Sequence, residues 1–188
     1  MRVRGFSAAA ACALAFLGWP AHQASAGFFD SLISSRPQQN RVVGRHLVSM
    51  PPGYQPGTIF VQFSRARLYY VLPGGRAISY PIATPSTEAR WSGDTYVSDK
   101  RVKPGWTPTP QMRRENPSLP TYVPGGHPRN PLGVRALYLG SSLYRIHGTD
   151  SPRTVGQAVS KGCIRMFNKD VADLYQRVSV GTRVVVTW

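Results

Sequence analysis

Cysteine is nearly absent from this chain: its 188 residues hold two, Cys12 and Cys163. Acidic side chains are scarce as well, eight against 23 Lys and Arg. No internal repeat or long low-complexity tract occurs, and no late segment is apolar enough to span a membrane. Each absence excludes something. Without repeats, a solenoid or propeller is ruled out. Without a second apolar run, stable membrane insertion can come only from the N-terminus, where Arg2 and Arg4 precede the apolar run Phe6 to Trp19. That run is short for a comfortable span. With Ala24-Ser25-Ala26 behind it, the pattern is that of a secretory signal over residues 1–26, cut after Ala26. A retained anchor is the alternative.

Cleavage removes Cys12. Much of the apolar run follows that cysteine, which argues against lipidation. The exported chain would then hold one cysteine and no internal disulfide. A single thiol in such a chain is either reactive or a small buried hydrophobe. The mature chain would have 188 − 26 = 162 residues, enough for one domain with a core. It keeps 23 − 2 = 21 basic and all eight acidic residues, a net charge of +13. Such a surface favours anionic partners. For an exported chain these are the cell wall or an anionic membrane surface, not nucleic acid.

Residues 27–56 are rich in Ser, Arg, Gln and Pro and read as a flexible N-terminal segment, with a short helix possible over Phe28 to Ile33. From residue 57 to 188 the chain reads as one domain, mainly β. Thr58 to Phe63, Leu68 to Leu72 and Ala77 to Ala83 are expected strands, the last two joined by the turn Pro73-Gly74-Gly75. Leu137 to Leu139 and Leu143 to Ile146 suggest another pair, and Thr182 to Thr187 a closing strand. Between Thr84 and Leu132 a long stretch rich in prolines and aromatics is expected to wall a groove. Thr154-Val155-Gly156-Gln157 has the form of a capping box, which predicts a short helix towards Val159. Asn168 is the expected N-cap of a helix carrying Val171, Leu174, Tyr175 and Val178 on one apolar face, with Asp170 in its first turn.

The chemistry-bearing pattern is Arg145-Ile146-His147-Gly148-Thr149 followed by Ser160-Lys161-Gly162-Cys163-Ile164-Arg165, with Cys163 sixteen positions after His147. A thiol is mostly protonated at neutral pH, and an imidazole is the commonest base to activate it. Lys161 and Arg165 bracket Cys163 and favour its thiolate. The amides of Gly162 and Cys163 are candidate oxyanion donors. Ser160 is a candidate for orienting substrate or backbone. His147, at a strand exit, is expected at an exposed sheet edge. Its tautomer is fixed by a carbonyl of the Gly148-Thr149-Asp150 turn, the preferred reading, or by the Asp150 side chain. A zinc site from His127, His147 and Cys163 matches no common metal spacing.

Those two motifs resemble the signature of the L,D-transpeptidase catalytic domain, also called the YkuD domain. The resemblance covers roughly Thr58 to Trp188. It is nearest the ErfK/YbiS-like exported branch, through Pro104-Gly105-Trp106-Thr107-Pro108-Thr109, Leu119-Pro120 and Asn130-Pro131-Leu132-Gly133. It implies a β-sandwich with one or two short helices and a long groove-forming loop. It implies that Cys163 attacks a peptidoglycan tetrapeptide stem after meso-diaminopimelate and releases D-Ala, with His147 as base and proton donor. An amine on another stem then resolves the thioester into a cross-link; an amine on an outer-membrane protein or lipoprotein anchors that protein to the wall. No metal, nucleotide or other cofactor is implied. Periplasmic localisation at the wall is.

By the same resemblance Gly148 supplies the carbonyl that orients the histidine. Arg165 holds substrate or the active-site loop, and Thr149, Trp106 and Tyr122 complete the candidate substrate-binding set. Trp106 and Tyr122 read equally as satellite core, and His127 as a groove or loop residue. Lys161 stands where many members have histidine, so its contribution is expected through backbone or charge. Two rival functions remain at this point: a thiol hydrolase of wall peptides with water as acceptor, and a non-catalytic wall-binding module.

Overall fold

Alternation of apolar and polar side chains builds most of this domain. The computed structural model describes residues 43–188. The signal segment, Cys12 and the expected helix over Phe28 to Ile33 lie outside the described residues. Strands β1 (His46–Ser49), β2 (Ile59–Gln62), β3 (Arg67–Leu72) and β4 (Arg76–Pro85) come first. Then follow β5 (Gly93–Val102), helix α1 (Pro110–Glu115), β6 (Arg135–Leu139), β7 (Arg145–His147), β8 (Ala158–Ser160) and β9 (Ile164–Met166). Helix α2 (Asn168–Arg177) and β10 (Arg183–Thr187) close the chain.

The strands run in the order β1-β4-β3-β2-β10-β5-β6-β7-β9, and β9 pairs back onto β4. The two ten-residue strands make this closure possible. Arg76 to Pro81 lie against β3 on the N-terminal half of β4. Ile82 and Ala83 then pair with β9, and Thr84 and Pro85 with β8. Likewise β5 pairs with β10 through Gly93 to Tyr96 and with β6 from Val97 onward, across a bulge between Val97 and Asp99. Two β-layers are thus joined by strands that pass from one to the other, and β4 is buried along Ala77 to Pro85. The mainly β expectation holds.

Tyr80, Ile82, Leu137, Ile146, Ile164 and Met166 fill the core, each fully buried. Val171 and Leu174 of α2 and the following Val178 join the same cluster, with Tyr175 packed at its edge. The expected apolar face of that helix is therefore the face that packs on the sheet.

Four expectations need correction. His46–Ser49, inside the segment read as flexible, pairs in register with Arg76–Ser79 of β4 as β1. Gly93–Val102, inside the stretch read as a groove wall, is instead the sheet strand β5. The expected helix towards Val159 is a single 3₁₀ turn, Pro152–Thr154, followed by β8. Gly156 adopts a left-handed φ of 95°, and its N–H is captured by the Ile82 carbonyl, so the turn cannot propagate as a helix. Asn168 is not the N-cap; Phe167 holds that position. The Asn168 side chain is engaged elsewhere.

Candidate active site

Strand register places the chemistry. β7 and β9 are parallel neighbours, with Ile146 opposite Ile164 and His147 opposite Arg165. Side chains alternate across a strand, so Ile146 and Ile164 enter the core. Arg145, His147, Arg165 and Cys163, one residue ahead of β9, face the other way. All four line one cavity of about 630 Å³. Its outer wall comes from the 106–114 segment, including Trp106, Thr109, Met112 and Arg114.

β7 lies between β6 and β9, so His147 is not at a sheet edge, and its ring is 3% exposed. Its Nδ1 lies 2.6 Å from the Gly148 carbonyl oxygen. A carbonyl only accepts, so Nδ1 carries the proton and Nε2 keeps a free lone pair. The carbonyl reading of the tautomer holds, and Asp150 is released from that role. It lines a different cavity, where its Oδ1 accepts a hydrogen bond from Ser151 Oγ at 3.0 Å.

Burial pulls the His147 pKa well below the ordinary imidazole range, to about 3, with the Gly148 bond opposing and Arg165 and Arg145 adding to the fall. Burial also pushes the half-buried Cys163 thiol above its ordinary value, although the Arg145 backbone N–H and the charges of Arg145 and Arg165 oppose it. At neutral pH the resting site thus holds a neutral imidazole beside a neutral thiol, not an ion pair. Of the bracketing cations Arg165 does favour the thiolate, as expected, but burial outweighs it. Lys161 is not among the acting charges, since its ammonium pairs with Glu115 of α1. Iodoacetamide should therefore alkylate Cys163 slowly at pH 7 and faster only above the ordinary thiol pKa of about 8.5. Arg145→Met should move that rise higher still. Rapid alkylation near pH 6 would contradict the neutral pair.

The loop carrying Cys163 is held by its carbonyls. Ser160 Oγ donates to the Cys163 carbonyl, and Trp91 Nε1 donates to the Gly162 carbonyl at 2.9 Å. Trp91 stacks on Tyr144 with ring centroids 4.8 Å apart. Gly162 has a φ of 116°, and a Cβ there would sit 2.2 Å from the Tyr144 ring. Only glycine meets both conditions.

The histidine side is held by Asn168. Its Oδ1 accepts from the Thr149 N–H at 3.0 Å and the Val134 N–H at 3.3 Å, and its Nδ2 donates to the Thr149 carbonyl at 3.0 Å. A Cβ on Gly148 would lie 2.1 Å from that Oδ1, and one on Gly133 2.2 Å. One amide thus ties the start of α2 to the residues after His147 and the entry of β6. Asn168→Ala should lower acyl transfer about tenfold through loss of the fixed Gly148 carbonyl, with Asn168→Asp failing to restore it because a carboxylate cannot donate to Thr149. Wild-type turnover in both variants would remove Asn168 from the site's framework.

Ser160, Lys161, Cys163, Arg165, His147 and Trp106 line one cavity, and Gly162 directly precedes Cys163. Gly148 and the buried Thr149 stand directly behind His147. Tyr122 is not brought to the thiol: it lines the neighbouring cavity with His127, while Trp106 and Pro131 border both cavities. His127 is thereby separated from the other two proposed zinc ligands. Sequence reasoning missed Arg145, Asn168, Tyr144 and Trp91. Arg145 was recoverable, since a residue two before His147 on a strand shares its face.

Residues 56–186 match the family of the L,D-transpeptidase catalytic domain. The chain is 43% identical over 137 residues to the probable L,D-transpeptidase ErfK/SrfK of Escherichia coli K12, across 68% of this chain and 43% of that protein. It is 39% identical over 133 residues to a Fuscovulum blasticum protein carrying an L,D-transpeptidase name, across 70% of this chain and 69% of that one. The chain therefore spans less than half of the Escherichia coli relative. In fold it is similar to an L,D-transpeptidase from Mycobacterium smegmatis, with a TM-score of 0.56 at 17% identity over 70% of this chain and 58% of that one.

Proposed function

We propose that this chain, which belongs to the L,D-transpeptidase catalytic domain family, is a cysteine acyltransferase acting on peptidoglycan stem peptides. The observation that carries the reading is one cavity lined by both the Cys163 thiol and the His147 ring, with Nε2 free to accept a proton. His147 Nε2 takes the thiol proton as Sγ attacks the carbonyl of meso-diaminopimelate in a tetrapeptide stem. The same proton passes to the departing D-Ala amine, and a thioester remains on Sγ. The Gly162 and Cys163 amides are the proposed donors to the oxyanion. An amine acceptor then attacks the thioester and forms a new amide.

Neutral partners suit this sequence. A base with a free lone pair and a thiol that keeps its proton until attack avoid a resting charge separation in a half-buried site. Arg114, Arg145 and Arg165 line the cavity, and no carboxylate does, which suits a substrate rich in carboxylates. We place the enzyme outside the cytoplasm, at the wall of the periplasm. Among the described residues no helix is long and apolar enough to cross a membrane.

Purified enzyme given a tetrapeptide stem alone should release D-Ala and form a dimer joined through two third residues. Tripeptide without dimer would favour the hydrolase reading. An unchanged substrate would sink both.

A further inference from the structure

Behind the loop that carries Cys163 stands an indole. Trp91 Nε1 donates to the Gly162 carbonyl at 2.9 Å, across 71 positions of chain. Its ring is clamped on two sides. It stacks on Tyr144 with 8° between the planes, and it meets the buried Phe63 edge-on with centroids 6.2 Å apart. Tyr144 and Cys163 line the cavity, and Trp91 does not. The indole therefore grips the loop from outside the cavity, and any effect it has on a bound peptide passes through the loop.

A peptide bond is planar, and in its trans form the carbonyl of one residue points opposite to the N–H of the next. The bond between Gly162 and Cys163 is trans. A donor that fixes the Gly162 carbonyl therefore also fixes the Cys163 N–H and turns it away from Trp91. Among the described residues that N–H donates to no backbone carbonyl. Glycine gives this peptide its freedom: with no Cβ on one side, the plane can turn over at little steric cost. Turned over, it would aim a carbonyl oxygen where the amide hydrogen had been, and a developing oxyanion would be repelled. The bond from Trp91 opposes that flip. It also polarises the peptide, which makes the N–H a stronger donor.

We infer that Trp91 is a positioning residue for the oxyanion site: by holding the Gly162 carbonyl, its indole N–H aims the Cys163 amide at the carbonyl oxygen of the acyl donor. The inference rests on the acyltransferase reading above. As Sγ bonds to the donor carbonyl carbon, the π pair moves to oxygen and the thiol proton goes to His147 Nε2. The Cys163 N–H then meets the negative oxygen. Trp91 stays off the cavity, so its contribution arises only where charge develops on that oxygen.

The test compares two reactions of the same thiol. Acylation by a tetrapeptide stem builds an oxyanion. Alkylation by iodoacetamide displaces iodide from a saturated carbon and builds none. Trp91→Phe keeps a ring against Tyr144 and Phe63 and removes the N–H. It should lower acylation about tenfold, the scale of one lost hydrogen bond, through kcat with KM unchanged. Alkylation at the same pH should stay within about twofold of wild type, since it follows thiolate and access alone. Should Trp91→Phe melt early, β-(3-benzothienyl)alanine installed at Trp91 alone keeps the bicyclic shape with sulfur in place of N–H, and the same split is expected. An equal loss in both reactions would make Trp91 a support of the loop alone and overturn the inference. So would acylation at the wild-type rate in a folded variant lacking the N–H. Failure of the acyltransferase reading looks different: wild-type enzyme then forms no acyl-enzyme while its thiol still alkylates, and the inference falls with it.

Discussion

Cys163→Ala should abolish acyl transfer and leave the fold standing. Alanine removes one sulfur and nothing that holds the loop. The bonds from Ser160 and Trp91 end on the carbonyls of Cys163 and Gly162, and the packing of Gly162 against Tyr144 is a backbone contact. The thiol's own hydrogen bond, to the Leu143 carbonyl at 3.9 Å, is long even for sulfur. Loss of a half-buried sulfur should therefore cost about 1 kcal/mol or less, visible as a small change in melting temperature. Among the described residues Cys163 is the one cysteine, so no neighbouring thiol can take its place. Turnover at more than a thousandth of the wild-type rate, in a variant that melts normally, would move the covalent chemistry to another group.

His147→Ala should slow acylation by about 10² to 10⁴, the range for losing a positioned base. The effect should fall on the chemical step rather than on donor binding, because Nδ1 is spent on the Gly148 carbonyl and Nε2 is left with the free lone pair. The same histidine sets an acid limit on the fold. Its folded pKa, about 3, lies below the ordinary 6.5, so the unfolded chain takes up the proton first as pH falls. Above pH 6.5 the imidazole is neutral in both states and contributes no pH dependence. Between pH 6.5 and 3 the stability lost through this one group is roughly 5 kcal/mol. His147→Gln keeps a side-chain N–H donor for the Gly148 carbonyl and cannot be charged. Its denaturation midpoint should change much less over that interval. Equal acid sensitivity in both proteins would show that another group governs it.

The motif around His147 and Cys163 was legible because a candidate base and a candidate nucleophile, each next to glycine, stand only sixteen positions apart. The surrounding electrostatics were not. Glu115 lies 46 positions before Lys161, and nothing local marks it as the partner that withdraws that charge from the thiol. His147 looked exposed because Gly148 ends its strand. Its burial comes from β9, which pairs from the far side of an intervening loop. Strand β5 was hidden by its own sequence: within Gly93–Val102 only Val97 is fully buried, and four of its ten residues are charged, so no apolar alternation marks it. Asn168 was read as a helix cap because it opens α2, but its amide is claimed by Thr149 and Val134, a tertiary use that no local pattern announces. By contrast, β2, β3 and β4 were plain in the sequence. Their β-branched and aromatic residues alternate or run unbroken into the core, and a Gly-Gly turn joins the last two.

The central claim is a thioester on Cys163, and intact-mass analysis of the enzyme mixed with a tetrapeptide stem, followed by peptide mapping, tests it most directly. The account predicts an added mass equal to the tripeptide acyl group, located on the peptide bearing Cys163 and removed by hydroxylamine. Turnover of the stem with no acyl group ever found on Cys163 would contradict it.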